Sequence, residues 1–141
     1  MNISETGELR PPLHLLASES DFVASLALQA EHRQPLVAAM LLEEIERAEL
    51  HDAGGMPDGH VQLNSSVTYL DERSGKERRV QIVVPARANI TEGRISILTP
   101  MGAALYGLAE GARIDWPDLD GNRRPIRVVS VEQPAAESEA A

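Results

Sequence analysis

Apolar positions follow one rhythm in the first third of the chain and another after residue 60. In the first part they recur at helical spacing: Phe22, Val23, Leu26 and Ala30 share one face of a helix. Pro11 and Pro12 precede it and break any earlier helix, and Leu13-His14-Leu15-Leu16 reads as a short extended lead-in. Ser18 or Ser20 is placed to cap the helix. Its end is expected near His32–Gln34, because Pro35 disfavours helical backbone at the residue before it. Pro35 also suits the first turn of a second helix, running Leu36 to Leu50. The seam of that helix is Val37, Met40 or Leu41, Glu44 or Ile45, and Ala48. So short a turn makes the two helices antiparallel, a hairpin either packed on the rest of the molecule or projecting from it.

Ala53 to Gly59, which includes Gly54-Gly55 and Pro57-Asp58-Gly59, reads as a linker. Beyond it the pattern shifts to short β-branched runs. Val67-Thr68-Tyr69-Leu70 and Val80 to Val84 are strands joined by a charged turn holding Ser74-Gly75. Arg94 to Leu98 is a third strand. Thr99-Pro100 then supplies an N-cap and a proline at the first helical position for a helix of about two turns. Ala112 to Trp116 and Pro125 to Val131 are the last strands, joined by Asp118 to Asn122. The class is α+β. Residues 1–52 form the helical hairpin, 53–59 the linker and 60–134 a mostly antiparallel twisted sheet covered by one short helix; 135–141 are a frayed acidic tail.

Composition narrows the function. Four aromatic residues among 141 leave little for stacking on single-stranded bases, and a net charge of −9 opposes direct binding to nucleic acid. Arg73, Lys76, Arg78 and Arg79 cluster locally, as do Arg123, Arg124 and Arg127, but the balance favours a protein partner, towards whose basic surface an acidic chain is steered. Glu43, Glu44, Glu46 and Glu49 crowd the second helix, with Glu43 and Arg47 spaced to pair. No cysteine is present, which excludes disulfides and thiolate chemistry. The first residues carry no apolar run, so no signal peptide or membrane span is expected and the cytoplasm is the default location.

Candidate chemistry is sparse. His14, His32, His51 and His60 fall singly, none at the spacing that puts two ligands on one helix face, so no metal site is expected. Asp118 to Asn122 resembles the start of a calcium loop but lacks its closing glutamate, since Val129 stands there. Ser65, Ser66 and Thr68 have no histidine–aspartate frame in the pattern. No catalytic residue and no cofactor is expected.

One stretch says more. Ile95 to Trp116 carries Thr99-Pro100, Ala104-Leu105, Gly107 and Gly111, and it resembles the C-terminal domain of the Gre family of bacterial transcription elongation factors. Within that family it is most similar to the regulator of nucleoside diphosphate kinase subgroup. Its pattern of Pro-Val-Gly-Ala-Ala-Leu-Leu-Gly-Leu and then Gly-Asp-x-Ile-Asp-Trp is matched by Pro100 to Leu108 and Gly111 to Trp116, with Ala112 in place of the aspartate. Met56-Pro57, Val61 to Ser65 and Arg124 to Val131 fit as well. The resemblance implies an FKBP-like domain that docks at the rim of the secondary channel of core RNA polymerase, with Thr99, Pro100, Met101, Gly102, Ala103 and Leu105 as the contact segment. It also implies competition with longer Gre factors. Those factors carry acidic residues at the tip of a long coiled coil, which help hold magnesium for transcript cleavage. The tip here, Glu31-His32-Arg33, has one carboxylate beside a cation, on helices of about 15 residues, or about 22 Å. A regulator without cleavage activity follows, not itself an enzyme. A prolyl isomerase or chaperone-type module and an effector of nucleoside diphosphate kinase are the alternatives.

Overall fold

The computed structural model describes residues 11–117 and 123–134. Asp118 to Asn122, expected as a turn, the expected tail and the first ten residues lie outside them. The element order is β1 (His14–Leu16), α1 (Ala17–Gln29), α2 (Pro35–Arg47), β2 (Glu49–His51), β3 (Ser66–Asp71), β4 (Lys76–Val83), β5 (Arg94–Ser96), α3 (Pro100–Leu105), β6 (Arg113–Pro117) and β7 (Arg123–Glu132). Mixed helix and sheet are as expected, and two details of the first part are not.

The first detail is the start of α1. Neither expected serine caps it: Leu16 stands at the N-cap without a side-chain bond, and Ser20 lies inside the helix, its Oγ donating to the Ala17 carbonyl at 2.8 Å. Strand β1 runs straight into the helix, so the chain arrives already held by its ladder and needs no polar cap. The buried face is Ser20, Val23, Ala27 and Ala30, while Phe22 is half exposed. The second detail is the end of α2. The helix stops at Arg47, and Glu49–His51 turns into a strand that pairs in parallel with β1, His14 opposite Glu49 and Leu16 opposite His51. The segment Ala53–Gly55 is a 3-10 turn, with the Asp52 carboxylate accepting from the Gly55 N–H at 2.9 Å.

The main sheet has the order β5-β4-β3-β7-β6. Its pairs are antiparallel except β4–β5, which is parallel because the 3-10 turns Pro85–Arg87 and Ile90–Glu92 carry the chain back before β5 begins. Val67 and Tyr69 of β3 point inward by the two-residue period of a strand. On β7 the period is broken by a bulge: Thr68 faces Ser130 but Tyr69 faces Val128, so Val129 is the extra residue and is exposed. The bulge lets Ile126, Val128 and Val131 all be buried on one strand.

A single buried cluster runs from Leu13, Leu15, Val23, Ala38 and Leu41 to Val67, Ile82, Leu105, Tyr106 and Val128. The helical hairpin therefore lies on the sheet-bearing part. One backbone bond crosses between the two, His14 N–H donating to the Gly107 carbonyl at 3.1 Å, and it is flanked by Glu49 N–H to the Leu13 carbonyl within the hairpin and Gly107 N–H to the Val61 carbonyl within the sheet-bearing part, both at 2.9 Å. A side-chain bond adds to them. The Glu19 Oε1 atom on α1 accepts from the Leu63 N–H at 3.0 Å and from the Tyr106 hydroxyl at 3.1 Å. Burial pushes the Glu19 carboxyl above its ordinary value, against the pull of these two bonds, and pushes the Tyr106 hydroxyl well up.

Candidate functional site

The short helix α3 lies in the chain between β5 and β6. Thr99 accepts from the Gly102 N–H through its Oγ1 at 3.1 Å and donates to the Ser96 carbonyl at 2.7 Å, which fixes the first turn, with Pro100 beginning the helix. Gly102 is required by proximity: a Cβ there would lie 2.3 Å from the Ser96 carbonyl oxygen. Gly107 is required by backbone, with φ at +87° and Leu15 3.0 Å from where its Cβ would be.

In front of this helix start lies a groove of about 760 Å³. Tyr69, Ile95 and Ile126 lie along it, with the buried surface of the sheet, and Thr99, Pro100, Met101 and Ile90 lie along its apolar side. Ile90 is 77% exposed, an isoleucine left largely uncovered by the described residues. The remaining wall is charged, with Asp71, Lys76, Arg78 and Arg124, three cations to one carboxylate. Arg124 holds Asp71 at 2.6 Å. Burial raises the Asp71 carboxyl, but the bond from Arg124 and those from the Ser74 and Arg73 N–H groups outweigh it and hold the group below its usual range. The groove thus carries charge opposite in sign to the chain as a whole.

The six residues expected to make contact divide into two sets. Thr99, Pro100 and Met101 line the groove; Gly102, Ala103 and Leu105 are buried beneath it. Glu31, His32 and Arg33 are exposed in the turn between α1 and α2, away from the groove's lining residues. Three of the arginines expected to form basic patches meet acids, Arg79 with Glu132, Arg127 with Glu72 and Arg124 with Asp71, and Arg113 joins Arg127 on Glu72. Arg113, first, and Arg127 hold the Glu72 carboxyl below its usual range. Arg47 bonds Glu44 at 2.8 Å. Ser65 is buried, accepting from the Gln62 N–H and donating to Gln133, so its hydroxyl is committed to structure.

The histidines are single in the sequence, but the fold brings three of the four together: His14 Nδ1 and His51 Nε2 are 2.9 Å apart, their rings stack, and the His60 ring leans edge-on against His14 with centroids 4.6 Å apart. The missed signal is Glu49-x-His51, the i, i+2 spacing that puts two side chains on one face of a strand. Helical spacing could not reveal it because residues 49–51 are not helix.

Residues 56–133, which hold β3 to β7 and α3, match the family described as "Transcription elongation factor, GreA/GreB, C-term". The chain belongs to the GreA/GreB family. The regulator of nucleoside diphosphate kinase of Escherichia coli strain K12 is 29% identical over 128 residues, which are 90% of this chain and 94% of that one. GreA of Brucella anthropi is 35% identical over 79 residues, 56% of this chain and 50% of that protein. A solved GreA/GreB factor from Nitrosomonas europaea superposes with a TM-score of 0.69 at 31% identity, covering 87% of this chain and 99% of that one. This is a family of regulatory elongation factors rather than classical enzymes. Among the described residues no helix is long and apolar enough to cross a membrane.

Proposed function

We propose that this chain docks on core RNA polymerase at the rim of the secondary channel, in the cytoplasm, and regulates elongation without stimulating transcript cleavage. The observation that carries the reading is the apolar edge formed by Ile90, Pro100 and Met101 beside a cationic wall, inside the segment that matches the family. An uncovered apolar edge flanked by charge is the usual anatomy of a protein-binding surface. The wall charges favour a partner surface that is acidic as well as apolar. We read residues 60–134 as the FKBP-like docking domain and residues 1–52 as its short hairpin, joined through 53–59.

The absence of cleavage rests on reach and ligand number. Helices α1 and α2 hold 13 residues each, about 20 Å of helix. Their turn offers Glu31 next to His32 and Arg33, and a divalent ion needs more carboxylate oxygen than that. A prolyl isomerase is disfavoured because, among the described residues, Tyr69 is the sole aromatic lining the groove.

The test is binding to purified core polymerase by the parent and by the Pro100→Glu/Met101→Glu double variant, with a GreA protein as competitor. Glutamates in the first turn of a helix favour its dipole, so the variant should fold. Affinity should fall by about tenfold or more, as loss of a central anchor does. The two factors should exclude one another, and RNA in stalled complexes should stay intact. Unchanged affinity in the folded variant, simultaneous binding, or cleavage that disappears with Glu31→Ala would defeat the proposal.

A further inference from the structure

The helical hairpin is closed at its base by β1 and β2, and on that closure three ligand-type side chains converge. His14 lies opposite Glu49 in the parallel ladder, and His51 is two residues on, so the pleat places all three on one face. His14 Nδ1 and His51 Nε2 are 2.9 Å apart, and the Glu49 carboxylate oxygens lie 3.9 Å from the first and 3.8 Å from the second. Every pair of donor atoms is within 4.8 Å. The geometry points to a binding site for a divalent transition-metal ion of the zinc class, held by His14, Glu49 and His51.

The distances suit that ion. Bonds of about 2.0–2.1 Å in a tetrahedron set neighbouring donors about 3.3 Å apart. The two imidazoles need to part by only a few tenths of an ångström. Glu49 must close by about half an ångström, and its side chain, 68% exposed, is free to swing. The two histidines are fixed more firmly, with side chains 23% and 16% exposed. His14 is also braced by the buried ring of His60, whose Nδ1 is 3.0 Å from the Asp58 carbonyl oxygen. Two imidazoles and one carboxylate leave a fourth position for water. The donor set favours zinc and its neighbours over magnesium or calcium, which prefer oxygen alone.

The site joins residues on either side of the hairpin. A bound ion would tie β1 to β2 where α1 begins and α2 ends, so occupancy would clamp the hairpin's base. This inference does not depend on the docking proposal.

The experiment is a calorimetric titration of tag-free, chelator-stripped full-length protein with zinc chloride. A parallel titration with cobalt chloride is read by visible absorption, since four-coordinate cobalt absorbs strongly. We expect one equivalent of zinc, tetrahedral cobalt bands, a higher melting temperature with zinc, and no response to magnesium chloride. Losing a ligand should cost more than losing a neighbour that merely orients one, which costs about 10–100-fold, so His51→Gln should weaken zinc at least about 100-fold. Glu49→Gln keeps the shape of an exposed side chain and should fold even if the histidine variants do not; it should weaken zinc about tenfold or more. His32→Ala, at the exposed hairpin turn, should bind as the parent does. Absence of saturable zinc binding by the parent overturns the site, as does parental affinity in folded Glu49→Gln or His51→Gln. Loss of binding in His32→Ala would reassign it.

Discussion

Removing the Glu19 carboxylate should loosen the hairpin from the sheet by a predictable amount. In the Glu19→Ala variant the Tyr106 hydroxyl, on a residue 1% exposed, loses its acceptor, and so does the Leu63 N–H. An orphaned buried donor costs about 1–3 kcal/mol, with the half-buried amide at the low end. Against this stands relief from keeping a carboxylate out of water, so the net loss should be about 2–3 kcal/mol. For a chain of this length that lowers the melting temperature by about 5–10 °C. Glu19→Gln keeps an oxygen acceptor and should stay within about 1 kcal/mol of the parent. The two also differ in pH dependence. Burial raises the folded-state pKa of Glu19 above the ordinary value of 4.5, so the unfolded chain releases its proton first as pH rises. Stability from this group is fullest below pH 4.5 and declines as pH climbs from there through the raised value. Glutamine has no proton to lose, so Glu19→Gln should gain on the parent across that window. The assay is urea unfolding of parent, Ala and Gln variants from pH 4 to pH 7.5, with Tyr106→Phe completing a double-mutant cycle. A Glu19→Ala loss below about 0.5 kcal/mol, or Gln as damaging as Ala, would refute the reasoning.

Gly102→Ala should cost about 1–3 kcal/mol in denaturant unfolding, because its Cβ would meet the Ser96 carbonyl at 2.3 Å and the backbone must move. Lys76→Glu/Arg78→Glu, which reverses two cations of the groove wall, should slow association with core polymerase several-fold at low salt and leave dissociation little changed; the parent's association rate should itself fall as salt rises. Salt-independent association would remove electrostatic steering from the docking proposal.

The sheet was legible because its strands announce themselves: β-branched runs, a Ser-Gly turn and Thr-Pro ahead of a helix are local signals that agree with the packing. The parallel pairing of β4 with β5 was not, since it depends on how two 3-10 turns reverse the path, and nothing in the alternation of side chains encodes direction. The end of α2 was misjudged for a related reason. Glu46 to Leu50 has good helix formers throughout, but the unpaired edge of β1 was available, and the ladder with Glu49–His51 outweighs about one more turn of helix. That error hid the histidine cluster. Helical spacing puts Phe22 with Val23, Leu26 and Ala30, but Ser20 and Ala27 are the buried small residues of α1 and Phe22 is half exposed.

The segment that carries the family resemblance is divided between interior and surface, and the division sets what resemblance can be made to say. Gly102 and Gly107 are there because space and backbone angle oppose a side chain, and Ala103 and Leu105 are fully buried. All four serve the seating of this helix on this sheet, whatever the chain binds. Thr99, Pro100 and Met101 line the groove, but Thr99 and Pro100 also start the helix, which leaves Met101 as the groove residue of the segment with least structural excuse. Tyr106 is the instructive departure. In the subgroup pattern that Pro100 to Leu108 resembles, leucine stands at that position, and leucine needs no partner. A buried tyrosine hydroxyl does need one, and Glu19 supplies it from the hairpin. The substitution therefore belongs to the contact between hairpin and sheet and not to the groove. In this chain it fixes the hairpin as part of the fold, so that what the groove meets is met by a surface whose neighbouring helices are already held in place.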